Sequence, residues 1–406
     1  MKIIYMHQYF LTPDMAGGTR SFEMARRLVS YGHEVHMLTT WFNSNAPVAG
    51  SGWFSRDVDG IAVHWLPVPY SNKMGFVRRL WAFMRFALGA GRKACAIGGD
   101  IIFATSTPLT IAIPAVHAKH RLKVPMVFEV RDLWPEVPIA MKVLRNPLLI
   151  GLANWLERYA YRNADHVVAL SPGMADGVAR HGYEGDRVTV IPNSCDLELF
   201  RSIQAAERSF RAQYAHIGNG PIVLYPGTLG RVNGVSWLVD LAVSVRAKRP
   251  DIRFVVIGDG VERDLVARRA EEAGVLNETF YLIPPLSKRA IVSAYAAASV
   301  IISLCIDIPA LHANSANKFF DALASATPVA INYGGWQKDL IEEFKIGVAL
   351  DPSVDLAALA FIDFMSSSAG LAAAGLAARR LGENKFSRDI LARKLESVLL
   401  GVVKSI

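Results

Sequence analysis

Two stretches of this chain carry the same local plan. The first runs Ile3-Ile4-Tyr5-Met6, passes through a loop ending Ala16-Gly17-Gly18-Thr19-Arg20, and enters the apolar-periodic segment Phe22 to Leu28. The second runs Ile222-Val223-Leu224-Tyr225, passes through Gly227-Thr228-Leu229-Gly230-Arg231-Val232-Asn233-Gly234, and enters Trp237 to Leu241. Each reads as a buried strand, a glycine loop and an amphipathic helix. Glycine lets backbone come close to a ligand, and a helix N-terminus offers free N–H groups to an anion. One such unit says little. Two, each opening its own half of the chain, predict two nucleotide-fold domains facing one another across a cleft.

The remaining patterning agrees. Val/Ile-rich runs at Ile3–Met6, Glu34–Thr39, Ala62–Leu66, Ile101–Ala104, Met126–Val130, His166–Leu170 and Val188–Ile191 alternate with helical segments. The second half repeats this at Ile222–Tyr225, Phe254–Ile257, Thr279–Leu282, Val300–Ser303, Pro328–Ile331 and Gly347–Leu350. Unbroken apolar runs suit strands buried on both faces of a parallel sheet. Strand and helix in alternation predict α/β architecture with right-handed crossovers. The expected division is a Rossmann-like domain over 1–205, a second over 206–385, and a C-terminal helix over 386–406 that crosses back to the first. A chain of 406 residues with 52% hydrophobic and 20% charged residues fits two globular domains.

Charge narrows the partners. The net charge is +8 and the pI about 9.4, which favours phosphates, nucleotides or an anionic membrane surface. Nucleic acid is not among the expected partners. Cys95, Cys195 and Cys305 are scattered and show no metal spacing, as expected of a reducing cytoplasm. The apolar start is too short for a signal peptide. The uncharged stretch Ile101 to Ala118 contains polar residues and prolines, and reads as strand, loop and helix rather than a membrane span.

Several residues could carry chemistry. Gly17 and Gly18 suit close approach of a substrate or a tight turn. Arg20 opposes the dipole at a helix start, which is tolerable beside an anion. Arg231 could grip a phosphate bidentately or simply be solvated. Lys318 falls at the N-terminal end of a helix holding Asn317 and Asp321, where a phosphate would suit it. Arg131 and Asp132 lie among charges at a strand's C-terminal end, the end that faces ligands in open α/β sheets. His117 and His120 could share a helix face, but no third ligand accompanies them.

From Lys73 to Lys93 there are six basic residues and no acidic one. At about 100° per residue, Arg78, Arg79, Arg85, Arg92 and Lys93 fall in one arc. Phe76, Leu80, Phe83, Met84, Ala87 and Leu88 fall opposite, with Trp81 and Phe86 at the edge. Two readings follow: a core-packed helix with a solvated face, or docking of Arg78, Arg79, Trp81 and Arg85 to anionic headgroups.

Taken in order, these segments resemble retaining glycosyltransferases of family 4, which have the two-domain GT-B fold. The resemblance rests on His7-Gln8-Tyr9-Phe10, Gly17-Gly18, Arg20 and Gly32 to Val35. It continues through Arg131-Asp132-Leu133-Trp134-Pro135-Glu136, as in a branch building bacterial surface polysaccharides, and Ile191 to Phe200. It ends with Gly227 to Gly234, Gly258-Asp259-Gly260, Asn317 to Asp321 and Thr327-Pro328-Val329. The resemblance implies transfer of a hexosyl or N-acetylhexosaminyl group from a nucleotide diphosphate sugar, UDP favoured, without a metal. The implied catalytic residues are Arg231, Lys318, Asp132 and Arg131. The implied donor-binding residues are Gly227, Thr228, Gly230, Asn233, Gly258, Gly260, Ile283, Asn317 and Asp321. Gly17, Gly18 and Arg20 would serve the acceptor, a polyprenyl-diphosphate-linked saccharide at the inner membrane face.

Three positions depart from the family pattern. Arg131 stands where many members have His, Asn233 where many have Lys, and Ala313 where the first acid of the E-x7-E motif belongs. A sugar-nucleotide epimerase and a non-catalytic subunit are the alternatives. A dehydrogenase is disfavoured, because neither loop reads G-x-G-x-x-G with the acidic residue that should follow.

Overall fold

The computed structural model describes the chain except Asp14, Ala16, residues 42–49 and 70–73, Glu184, Ser202, Ile406, and the side chains of Phe76 and residues 203–206. Lys73 lies outside the described residues.

The chain forms two compact units, one of residues 1–12, 19–192 and 389–406, the other of 13–18 and 193–388. The units divide at 192/193 rather than 205/206. The reason is local. The Asn193 backbone N–H donates to Ser315 Oγ at 3.0 Å and its side chain to the Ser315 carbonyl. The Phe200 ring meets Tyr295 edge-on. The segment after Pro192 therefore packs with the second unit.

Among the described residues the first unit holds eight strands: β1 (Lys2–Met6), β2 (Glu34–Trp41), β3 (Phe54–Val58), β4 (Ile61–Pro67), β5 (Ile101–Thr105), β6 (Met126–Val130), β7 (His166–Ala169) and β8 (Val188–Val190). Their order is β3-β4-β2-β1-β5-β6-β7-β8. Its helices are α1 (Arg20–Ser30), α2 (Phe76–Ile97), α3 (Ala112–Leu122), α4 (Glu136–Ala140), α5 (Pro147–Asn163) and α6 (Pro172–Ala179). Among the described residues only β3 pairs antiparallel, with β4. It is also the strand that periodicity did not reveal.

The second unit holds β9 (Ile222–Pro226), β10 (Arg253–Ile257), β11 (Phe280–Ile283), β12 (Val300–Ser303), β13 (Val329–Ile331) and β14 (Gly347–Ala349). Their order is β11-β10-β9-β12-β13-β14. Its helices are α7 (Ile203–Gln213), α8 (Ser236–Arg246), α9 (Arg263–Glu272), α10 (Val292–Ala297), α11 (Asn317–Ala324), α12 (Trp336–Phe344), α13 (Val354–Ser366) and α14 (Ser368–Lys385). The last helix, α15 (Arg388–Lys404), packs with the first unit, where Leu391, Ala392, Leu395 and Leu399 join the core beneath α1.

Handedness fixes the layers. In the first sheet α1 connects β1 to β2, one direction along the sheet, whereas α2, α3, α5 and α6 connect strands in the other direction. Right-handed crossovers then put α1 on one face and α2, α3 and α5 on the opposite face. In each sheet the order reverses beside the unit's first strand, between β1 and β5 and between β9 and β12. Ligands of such sheets bind outside the strand ends at that reversal.

No single helix among the described residues is long and apolar enough to cross a membrane. Helices α13 and α14 pass that test only as a pair bent by 93°. Both contribute buried residues, among them Phe361 and Leu381.

Candidate functional site

In the second unit the site begins at the end of β9. The loop from Gly227 to Gly234 stacks on the loop from Gly258 to Gly260, backbone against backbone. Gly227 N–H donates to the Ile257 carbonyl, and Leu229 N–H to the Asp259 carbonyl, both at 2.9 Å. A Cβ on Gly258 would sit 1.8 Å from the Gly227 carbonyl oxygen, and one on Gly260 would sit 2.3 Å from that of Leu229. These two glycines are thus required by loop stacking before any ligand is considered. Ile283 contributes through its carbonyl, which accepts from Gly258 N–H at 3.1 Å, while its side chain is buried.

Gly227 itself faces Lys318. A Cβ there would lie 3.1 Å from Lys318 Cε and 3.5 Å from Nζ. Lys318 stands in the first turn of α11, whose N-cap Ala316 has no side chain to satisfy the free N–H groups. Its Nζ lies 4.9 Å from the Tyr225 ring centroid, and it makes no ion pair among the described residues. Desolvation pushes its ammonium down to about 8, opposed by Cys305 and Asp321. Arg231, exposed in the glycine loop, has no hydrogen bond or ion pair among the described residues. Thr228 is exposed and its carbonyl accepts from Tyr225 OH at 2.8 Å. Asn233 N–H closes a turn on the Gly230 carbonyl, and Ile306 N–H holds Val232, tying the loop to the end of β12. Two uncompensated cations, an open helix N-terminus and a glycine loop thus lie at the sheet's reversal point, the chemistry that suits a multiply charged anion.

Asp321 and Asn317 flank it. Lys288 Nζ reaches both Asp321 carboxylate oxygens, at 2.8 and 2.9 Å, and Tyr295 OH lies 3.4 Å from one of them. Asp321 is therefore already ion-paired. Its spare lone pairs are what remain for a ligand. Asn317 is exposed, and a Cβ on Gly18 would come within 3.0 Å of its amide nitrogen. Gly17 and Gly18 accordingly belong to the second unit, although the chain reaches them directly after β1. Ala313 lies in a loop held by Trp336 Nε1 donating to the Asn314 carbonyl at 2.8 Å.

In the first unit the anion beside Arg20 is supplied by the protein itself, the Glu129 carboxylate. Arg20 Nε and Nη2 donate to Glu129 Oε1 at 3.1 and 2.8 Å, Nη2 also donates to the Ile191 carbonyl at 2.9 Å, and Nη1 donates to the Pro192 carbonyl. Both side chains are almost wholly buried. Burial pushes the Glu129 carboxyl up, but Arg20, Arg131 and the hydrogen bonds from Arg20 and Thr105 outweigh it and hold it below the usual range. Arg131 follows β6 and its Nη1 lies 3.2 Å from His7 Nε2. Burial and then Arg131 hold the His7 imidazole well below its ordinary value, so it is neutral and accepts this bond through Nε2. Asp132 is exposed, with Thr107 Oγ1 at 3.5 Å from its carboxylate. Beside His7 the Gln8 side chain is buried, and both its amide atoms lack partners among the described residues.

The basic helix α2 is rotated from expectation. Phe86, Ala82, Ala87, Ala90 and Ala94 face the core, and Leu80, Met84 and Leu88, expected inside, are exposed. Arg78 and Trp81 are exposed as well. Arg79 bonds to the Met74 carbonyl, while Arg85 bonds to the Ser51 carbonyl and lies over Trp81.

Sequence reasoning did not find Lys288, Tyr225 or the His7–Arg131 contact. Tyr225 ends a strand whose apolar run reads as core. Lys288 stands in a loop 33 residues before its acid, and nothing in local spacing joins them.

Two family models match the chain, a glycosyl transferase 4-like domain over residues 16–194 and glycosyl transferases group 1 over 206–386. The chain is 25% identical to a GDP-mannose-dependent alpha-mannosyltransferase of Mycolicibacterium smegmatis, over 86% of this chain and 84% of that one. Matches to other curated relatives, at 27–29% identity, span 29–45% of those proteins' lengths. In structure it is similar to sucrose-phosphate synthase from Thermosynechococcus elongatus, with TM-score 0.78, 16% identity and full coverage of both chains. It is also similar to Anabaena Alr3699/HepE solved with UDP-glucose, with TM-score 0.72, 15% identity, and 99% and 100% of the two chains covered.

Proposed function

The chain belongs to the GT4-type glycosyltransferases with the GT-B fold, and from that premise we propose that it moves a sugar from a nucleotide diphosphate to an acceptor hydroxyl with retention of configuration. The observation that carries this reading is the pair of uncompensated cations, Lys318 and Arg231, beside the glycine loop and the open end of α11. UDP is the favoured nucleotide, supported by the UDP-glucose named for the Anabaena neighbour. The GDP-mannose named for the mycobacterial relative makes GDP the competitor to test.

The chemistry follows from charge. The bond between the anomeric carbon and the β-phosphate oxygen breaks as the acceptor oxygen bonds to that carbon. The acceptor proton passes to the leaving phosphate on the same face of the sugar. Negative charge grows on the diphosphate in this step. A cation about 4 Å away contributes roughly 4 kcal/mol at an effective dielectric near 20. In this reading Lys318 and Arg231 do this work and no metal is needed. Asp321, oriented by Lys288, accepts from ribose hydroxyls.

Arg131 and Asp132, both of the first unit, are assigned to the acceptor. The acceptor is a lipid-linked or saccharide hydroxyl in bacterial polysaccharide synthesis, a polyprenyl-diphosphate-linked saccharide being the favoured form. The enzyme would meet it at the cytoplasmic face of the membrane, through α2.

Titration calorimetry with UDP, GDP and their sugars tests the core of this. Wild type should bind one nucleotide series, and Lys318→Ala should bind it much more weakly. Equal affinity in the variant would remove Lys318 from the diphosphate, and no nucleotide binding at all would remove the reading and leave a non-catalytic subunit.

A further inference from the structure

We infer that α5 forms, with α2, a two-helix seat for an anionic lipid bilayer. This extends the membrane reading above, which rests on α2 alone.

The two helices lie on the same side of the first sheet, because right-handed crossovers carry both there, and α3 packs against each. Along α2, Val77, Leu80, Trp81, Met84 and Leu88 recur at three- and four-residue steps and so form one stripe. All five are exposed, Val77 at 77%, Trp81 at 58% and Leu88 at 60%. Along α5 the same spacing joins Leu148, Leu152 and Trp155, exposed at 83%, 60% and 55%. Trp155 stacks on Tyr159 one turn further on, with ring centroids 5.3 Å apart. Scattered exposed apolar residues need no explanation, but two stripes on helices of one layer, with α3 packed between them, mark an interaction surface.

Charge identifies the occupant. Across α2, α3 and residues 142–163 the only acidic residue is Glu157, and it is buried. The exposed charges there are cations, including Arg78, Arg92, Arg121, Lys142, Arg145 and Arg158. Two copies of such a face would repel one another. A surface of anionic headgroups over a hydrocarbon layer matches both features. Aliphatic side chains and tryptophan enter the acyl boundary, while arginine and lysine reach phosphates. Arg85, held over the Trp81 ring at 5.3 Å, shows that pairing in one place.

Flotation of the full chain with phosphatidylglycerol vesicles tests the seat, with phosphatidylcholine vesicles and sedimentation velocity as controls. Wild type should float with the anionic vesicles and not with the neutral ones. The α5 variant Leu148→Ser/Leu152→Ser/Trp155→Ser should lose at least tenfold in partitioning. The α2 variant Val77→Ser/Trp81→Ser/Leu88→Ser should lose as much. UDP binding should stay at the wild-type level in both, which separates this result from the nucleotide reading, and an unchanged far-UV circular dichroism spectrum and melting curve confirm that the first unit folds. Trp155→Phe should remove a share of the quenching of tryptophan emission by brominated lipid.

A wild type that ignores anionic vesicles overturns the membrane reading altogether. An α5 variant that floats like wild type while the α2 variant does not overturns the two-helix seat and leaves α2. An α5 variant that changes oligomeric state with unchanged flotation makes α5 a protein interface instead, and also overturns the seat.

Discussion

Arg20 and Arg231 follow glycines in two openings that look alike in sequence, yet their surroundings differ completely. Arg20 is walled in, with four donor contacts to Glu129 and two carbonyls. Arg231 is exposed and unpartnered among the described residues. What separates a structural arginine from a ligand-binding one is whether the fold brings a buried acid within reach. In the first unit β6 supplies Glu129. In the second, Asp321 is taken by Lys288, which leaves both Lys318 and Arg231 for an external anion.

The sharpest way to break this contrast is to remove each arginine in turn. Arg20→Ala strands Glu129 as a buried, unpaired charge, which should cost about 3–5 kcal/mol of stability. A large drop in melting temperature should follow. Arg231→Ala, at an exposed site, should change stability by no more than about 0.5 kcal/mol. Equal melting shifts in the two variants would dissolve the distinction.

Activity should show the mirror image. Lys318→Ala and Arg231→Ala should each lower the rate on the order of 10²–10³-fold, the usual loss when one preorganised contact to developing charge is removed. A rate near wild type for both variants, measured as nucleotide release, would mean that the leaving diphosphate lies elsewhere.

How much of this was legible beforehand depends on range. Strands such as Ile101–Thr105 stand out because a strand covered on both faces must be continuously apolar. Phe54–Val58 does not, because an edge strand with Ser55, Arg56 and Asp57 exposed reads as loop. The faces of α2 were misjudged for a related reason. Alanines at 82, 87, 90 and 94 form the contact with the core, and small residues weigh little in a hydropathy arc. The place of the glycine loop after β9 and of Lys318 in the first turn of α11 was readable because strand, loop and helix follow one another locally. The partners Glu129 and Lys288 were not, since 109 residues separate Arg20 from its acid and 33 separate Lys288 from Asp321.

A second buried glutamate in the first unit sharpens the comparison. Glu157 meets Tyr161 OH at 3.1 Å and His181 Nε2 at 3.1 Å, with no arginine bound to it among the described residues. Burial pushes its carboxyl from 4.5 up to about 7. A raised carboxyl contributes stability below its unfolded value and loses it as pH rises through the folded one. Glu157 should therefore cost the fold roughly 3 kcal/mol between pH 4.5 and 7.5. Glu129, held below the usual range, acts with the opposite sign and weakens the fold only in acid. Urea melts against pH should show a decline through this window that Glu157→Gln flattens. A profile unchanged by that substitution would mean Glu157 is not the group that titrates.

The smallest effect distinguishes the two cations of the second unit. Arginine stays charged at every accessible pH, whereas the Lys318 ammonium lies at about 8 in the free protein. It is charged below that value and loses its proton above it. A bound diphosphate favours the charged form, so donor affinity must fall as pH rises through 8. Between pH 7 and 9 the charged fraction drops roughly tenfold, and affinity should follow by up to that factor. UDP-glucose is the cleaner probe, because the terminal phosphate of free UDP itself titrates near about pH 6. Calorimetry from pH 6.5 to 9.5 should give a flat region and then a fall in wild type. Lys318→Arg should remove the fall. Arg231→Ala should weaken binding at every pH and keep the fall, since Lys318 is still present. A wild-type curve flat to pH 9 would detach Lys318 from the diphosphate and leave Arg231 as the sole cation of the site.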